Sequence, residues 1–227
     1  MATKIKLLLL HGLGSSGEDW FFQKEALSPY FEVITPDLPR KGTIAEIAAL
    51  CAEQLPAYVG GLSFGGCVAL QMALDFPEKV KGLILINTTS CMADTNRFLR
   101  GFRAVSIRLF PMNIIAKAIS WLTFPKKNQK LFRIICEERV SRWSKKEFLA
   151  LYNELITFDV KERLEELQMP TLILTGGKDL LISPANSTIL KEKIPNATQV
   201  IIQDAGHVLP VDSADECNCH IKQFISL

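Results

Sequence analysis

The sequence predicts an α/β protein built on a mostly parallel sheet with helices wound over both faces. Three observations carry that expectation. Six short apolar runs alternate with helical patterns along the chain. The runs lack the in–out polar alternation of strands that face water on one side. One of them ends in a glycine-flanked serine that opens the next helical stretch. A chain of 227 residues, 48% hydrophobic and 22% charged, is long enough to bury one sizeable core without staples.

The first run, Ile5–Leu10, sits in MATKIKLLLLHG, which superficially resembles a leader peptide. Its apolar part, Leu7–Leu10, is too short for one and ends in His-Gly-Leu-Gly rather than a small-residue cleavage site, so it reads as a buried strand. Further strands are expected at Phe31–Thr35, Ala57–Gly60, Gly82–Asn87, Thr171–Thr175 and Thr198–Gln203, with helices near Trp20–Leu27, Thr43–Gln54, Gly65–Phe76 and Pro184–Lys193. The alternation fails from Cys91 to about Gln168, where amphipathic, aromatic-rich helical sequence is broken at Pro111 and Pro125. The expected organisation is a core formed by residues 1–90 and 169–227, with a helical lid over residues 91–168 inserted between the fourth and fifth strands.

No stretch approaches the ~20 apolar residues of a membrane span. The six cysteines follow no small-domain disulfide pattern, and Cys217-x-Cys219 with His220 lacks a second ligand pair at zinc-like spacing. They read as reduced thiols of a cytoplasmic protein, and neither metal nor cofactor is expected. The formal charge of +2 gives no basis for nucleic-acid binding, but its distribution is uneven. Residues 91–147 hold 13 Lys or Arg against 4 Asp or Glu. Arg97, Arg100, Arg103, Arg108, Lys126, Lys127 and Lys130 are either solvated helix faces or a docking surface for an anionic partner, such as an acidic carrier protein. Both readings stay open.

Gly61-Leu62-Ser63-Phe64-Gly65 matches G-x-S-x-G in the strand–turn–helix context that the motif needs. A serine on such a tight turn projects its hydroxyl into the cleft, and glycines two residues before and after avoid collisions there. His11-Gly12-Leu13-Gly14 closes the first strand, where a glycine-rich turn presents backbone amides, so the N–H groups of Leu13 and Phe64 are the expected oxyanion hole. His11 itself is expected to shape that loop. A serine needs a base. Of three histidines, His207 follows the last strand at the sheet's C-terminal rim, whereas His220 falls in the final amphipathic helix as a surface or packing residue. Asp179, in Gly176-Gly177-Lys178-Asp179 after the fifth strand, is the expected acid that orients the imidazole. Its rivals are Asp204, Asp212 and the group after the fourth strand, Asn87 and Asp94.

LLLLHGLG, VITPDLP, GGLSFGGCVALQMALDFPEKV, GLILINTT, TLILTGGKD and AGH, in this order, resemble the α/β-hydrolase superfamily over nearly the whole chain. That resemblance implies the triad Ser63, Asp179, His207 and the donors Leu13 and Phe64. It also implies that the usual N-terminal hairpin is missing, leaving a compact sheet of about six parallel strands ordered 2-1-3-4-5-6. The segment NTTSC and the tail PVDSADECNCHIKQF are loosely similar to small carboxylesterases of vitamin pathways, such as pimeloyl-carrier-protein methyl ester esterases. The expected activity is hydrolysis of a small carboxylic ester, and Phe98, Phe102, Ile107, Leu109, Phe110, Ile114, Trp121, Leu122 and Phe124 either hold an apolar acyl group or pack the lid against the body. Three alternatives share the same residues: a carrier- or coenzyme-A-linked ester or thioester as substrate, a lyase or synthase reaction, and a ligand sensor without turnover.

Overall fold

The computed structural model describes residues 4–92, 97–126 and 129–226. Asp94 and Lys127 lie outside them, as do the side chains of Arg97 and Phe98. The six strands are β1 (Lys6–Leu10), β2 (Glu32–Ile34), β3 (Ala57–Leu62), β4 (Val80–Ile86), β5 (Thr171–Gly176) and β6 (Ala197–Ile202). They form one sheet in the order β2-β1-β3-β4-β5-β6, with every neighbouring pair parallel. This is the expected order. Leu10 pairs with Gly61, Leu62 with Ile86, Ile86 with Leu174 and Gly176 with Ile202, so five strands finish at one rim. The order reverses between β1 and β3, and the crevice at such a switch point is where open α/β sheets place ligands.

The leucine run of β1 shows why polar alternation is missing. Successive strand side chains point to opposite faces. Leu8 and Leu10 enter one core with Ile47 of α2 (Ile44–Cys51) and Val68 of α3 (Phe64–Asp75), while Leu7 and Leu9 enter another with Trp20 and Leu27. That second core is closed by α1 (Phe21–Leu27) and α10 (Ala214–Ser226). The expectation of burial on both faces fails for the edge strands. Glu32 of β2 is exposed, and Ile201 of β6 is 44% exposed, because an edge strand is flanked on one side only.

Helix boundaries follow local chemistry. Thr43 and Glu46 form a reciprocal capping box at the start of α2. The helix ends at Cys51 and a 3-10 turn, Ala52–Gln54, completes the expected segment, because Leu55 precedes Pro56 and is steered out of helical space. Ser183 caps α8 (Pro184–Lys193), with Pro184 in its first turn. Between β4 and β5 lie α4 (Arg97–Leu109), α5 (Met112–Thr123), α6 (Lys130–Ser141) and α7 (Lys145–Thr157). Pro111 caps α5, Pro125 separates α5 from α6, and Ser144 with Glu147 boxes the start of α7. Val140, Trp143, Phe148 and Leu151 of this segment join the core cluster of the sheet, so the four helices pack on the body. No helix among the described residues is long and apolar enough to cross a membrane.

Candidate active site

The turn between β3 and α3 is strained as the motif requires. Ser63 has φ 55° and ψ −119°, a conformation rare for a residue with a side chain. It is held by its N–H, which donates to the Ile86 carbonyl at 3.0 Å, and by Thr88 Oγ1, which donates to the Ser63 carbonyl at 2.7 Å. The glycines are sterically obligatory. A Cβ on Gly61 would lie 2.1 Å from the Gly65 oxygen, and one on Gly65 would lie 2.2 Å from the Leu10 oxygen. The N-terminus of α3 thereby abuts the end of β1.

The loop after β1 passes beside the serine, since a Cβ on Gly12 would sit 3.5 Å from Ser63 Cβ. Neither Leu13 nor Phe64 N–H takes part in the turn hydrogen bonds around it, which run from Ser15 to Gly12 and from Gly66 and Cys67 to Ser63. His11 is 3% exposed and Nε2 accepts the Leu38 N–H at 2.8 Å. That leaves Nδ1 to donate to the Gly12 carbonyl at 2.9 Å. Burial pushes its pKa below the ordinary value, so it is a neutral brace between two loops.

Asp179 and His207 are brought together: Nδ1 of the imidazole lies 2.7 Å from Asp179 Oδ2. The carboxylate side chain is fully buried, and its Oδ1 accepts the N–H groups of Leu181 at 2.7 Å and Ile182 at 3.0 Å. Three donors on one carboxylate fix both its position and the ring it faces. Nε2 is the nitrogen left over. Ser63 and His207 line the same cavity, and among the described residues the serine hydroxyl makes no hydrogen bond. Bonds of this type commonly tighten only when substrate arrives. Asp204 points away to the surface and pairs with Lys178. Cys217 is buried while Cys219 is exposed, so the C-x-C pair does not converge.

Two positioning residues escaped the sequence reading, which treated them only as rival acids. Asn87, 2% exposed with φ 42°, ends β4 and donates through Nδ2 to the carbonyls of Gly206 at 2.9 Å and His207 at 2.7 Å. Its Oδ1 accepts the Gly176 N–H at 2.7 Å, so one amide ties the loops that carry His207 and Asp179. Asp212 accepts the Gly206 N–H at 2.5 Å, pairs with Lys126 at 3.3 Å and also bonds Gln129. The available signal was a polar side chain directly after a buried apolar strand and next to the histidine loop.

The cavity has a volume of about 690 Å³, within the usual range for small-molecule sites. Its floor is Gly12, Leu13, Ser63 and His207, and its roof comes from α4 to α7. Of the aromatic and aliphatic residues expected there, Phe102, Ile107, Leu122 and Phe124 line it. Leu109, Phe110, Ile114 and Trp121 do not. They are roughly half exposed or more, because the helices carry apolar residues on their outer faces too. Cys136 also reaches the cavity, but burial pushes its thiol up to about 12 and keeps it protonated.

A model of the alpha/beta hydrolase family matches residues 7–218, and the chain belongs to that family. Its relatives are hydrolases and esterases. The pimeloyl-[acyl-carrier protein] methyl ester esterase of Vibrio campbellii is 28% identical, with 96% of this chain and 93% of that protein covered. A thermophilic esterase from Thermogutta terrifontis superposes with a TM-score of 0.84 at 25% identity, covering 100% of this chain and 91% of the other. The enol-lactonase from Burkholderia xenovorans LB400, at 21% identity, shares the fold with a TM-score of 0.90 over 100% of this chain and 93% of the other. The protein is an enzyme of this hydrolase class, with hydrolytic ester cleavage as its general activity.

Proposed function

We propose that the chain hydrolyses a small carboxylic ester through an acyl-enzyme. Ser63 attacks the acyl carbonyl while His207 Nε2 takes its proton, and Asp179 stabilises the imidazolium that forms. The amides of Leu13 and Phe64 receive the oxyanion, a contribution of about 3 kcal/mol per donor. The proton returns to the leaving alcohol, and water then repeats the cycle on the acyl group. The single observation behind this reading is the Asp179–His207 bond at 2.7 Å, made in the cavity where the strained Ser63 turn opens. Helices α4 to α7 act as a lid, and cysteines that form no disulfide among the described residues suit a cytoplasmic location.

The test is turnover of p-nitrophenyl esters together with labelling by a fluorophosphonate. Wild type is expected to hydrolyse short- to medium-chain esters and to be labelled on Ser63, with both lost in Ser63→Ala. Absence of turnover across the panel and of labelling would overturn the reading.

A second reading assigns a carrier-linked substrate. Arg108, Lys117 and Lys130 are exposed with no acidic partner among the described residues, and one relative is named for an acyl-carrier-protein ester. Charge-steered docking weakens steeply with salt. If kcat/KM on a carrier-linked ester exceeds that on the free ester at low ionic strength and the gap closes with salt, docking is supported. Equal rates refute it.

A further inference from the structure

Among the described residues, three charged side chains line the cavity: Asp19, Arg103 and Arg139. Asp19 and Arg139 are ion-paired to each other, and Arg139 also reaches Glu18 at 3.2 Å, so this pair contributes little net field. Arg103, on α4, has no acidic partner among the described residues. Its Nη1 and Nη2 donate only to the carbonyls of Leu181 at 3.3 Å and Leu180 at 3.5 Å, both long contacts. A guanidinium carries five N–H donors in a planar fork, so most of its capacity is unspent. Arg103 is half-buried, so an anion entering the cavity meets an unpaired cation there.

The surroundings of Arg103 suit a carboxylate. Ser106 lies three residues along α4, on the same face one turn away, and it also lines the cavity. Tyr152 of α7 lines the same wall; its single hydroxyl proton goes to the Arg100 carbonyl over a long 3.3 Å contact, which it would give up to reach a bound carboxylate. Burial raises the Tyr152 pKa, so the phenol keeps that proton. A cation and two hydroxyls therefore share one corner, while the rest of the wall is mostly apolar side chains. Phe102, 69% exposed and next to Arg103, marks this corner as the outer end of the cavity.

We propose that Arg103, with Ser106 and Tyr152, forms an anion subsite that selects esters bearing a carboxylate remote from the scissile bond. This assignment rests on the serine-hydrolase reading above and narrows its substrate class. The reacting carbonyl sits at Ser63, an apolar spacer crosses the cavity, and the carboxylate meets the guanidinium. Charge-assisted, bidentate contacts of this type are the strong ones.

The test compares matched ester pairs in wild type, Arg103→Met and Arg103→Lys. In the first series, mono-p-nitrophenyl esters of dicarboxylic acids are set against the same esters methyl-capped at the far end. In the second, the carboxylate rides on the leaving phenol. The two series tell acyl-side from alcohol-side placement. Wild type is expected to prefer the carboxylate member of one series by at least about tenfold in kcat/KM. Arg103→Met should erase that preference while leaving the capped ester within about twofold, and Arg103→Lys should restore part of it.

Equal rates for both members of both series would overturn the subsite, as would an Arg103→Met loss shared equally by charged and capped esters. The shared loss would mean that Arg103 only staples α4 to the Leu180–Leu181 loop. Capped esters turned over without any carboxylate preference would sink the subsite and leave the serine mechanism standing. No turnover of any ester and no Ser63 labelling would remove both.

Discussion

Replacing Asn87 should show how much of the site depends on a residue that performs no chemistry. Asn87→Ala removes one donor group serving two carbonyls and one acceptor serving an amide, at a position 2% exposed. A buried polar group left without a partner costs about 1–3 kcal/mol. Carbonyls, with two lone pairs, tolerate the loss better than N–H groups. Taking the lower half of that range for three groups gives a destabilisation of about 3–6 kcal/mol, a large part of the ~5–15 kcal/mol typical of a domain. Alanine must also occupy φ 42°, which glycine adopts freely, so Asn87→Gly should retain about 1 kcal/mol more than Asn87→Ala. Urea unfolding measures these differences. In the variant that remains folded, kcat/KM should fall about 10–100-fold, because the backbone anchor of His207 has slackened. If Asn87→Ala unfolds at the wild-type urea midpoint and keeps wild-type kcat/KM, the anchoring argument is wrong.

Three further outcomes follow from the same geometry. Asp179→Asn should keep the fold and lower kcat about 10³–10⁴-fold, since the imidazole loses the charge that steadies it, and steady-state kinetics beside a circular dichroism spectrum decides the matter. Gly65→Ala should give little folded protein in a solubility and thermal-melt comparison, because its methyl would lie 2.2 Å from the Leu10 oxygen; a soluble, active variant would contradict the steric reading. The folded-state pKa of His11 is depressed below the ordinary value of 6.5, so the unfolded chain binds the extra proton first and stability drops as pH falls below about 6.5. His11→Gln, which lacks that titration, should lose less stability than wild type between neutral pH and pH of about 5.5, and parallel slopes in denaturant titrations would refute this.

The parts of this fold legible in the sequence are those where one local rule operates alone. The leucines of β1 announce a strand covered on both faces, and Gly61 and Gly65 announce a turn whose neighbouring backbone leaves no room for a Cβ. Ser183-Pro184 and Thr43 with Glu46 mark helix starts by capping chemistry. What stayed hidden depends on contacts between segments far apart in the chain. Asn87 reads as a failed acid until Gly176, Gly206 and His207 are seen to converge on it. The apolar residues of α4 and α5 carry no mark that tells an inward face from an outward one, so Phe102 and Leu122 could not be sorted from Leu109 and Trp121 by periodicity. Arg103 lay unremarked among a cluster of basic residues, although only its position on the cavity wall separates it from them.

Asp212 gives the roof of this cavity a mechanical hold on its floor. The same carboxylate takes the Gly206 amide, one residue before the histidine, and Lys126 and Gln129 from the segment between α5 and α6. Without Lys126 and Gln129 this nearly buried anion would keep the Gly206 amide as its remaining named partner. Losing the contacts to Lys126 and Gln129 would therefore also weaken the anchor of the Gly206–His207 loop.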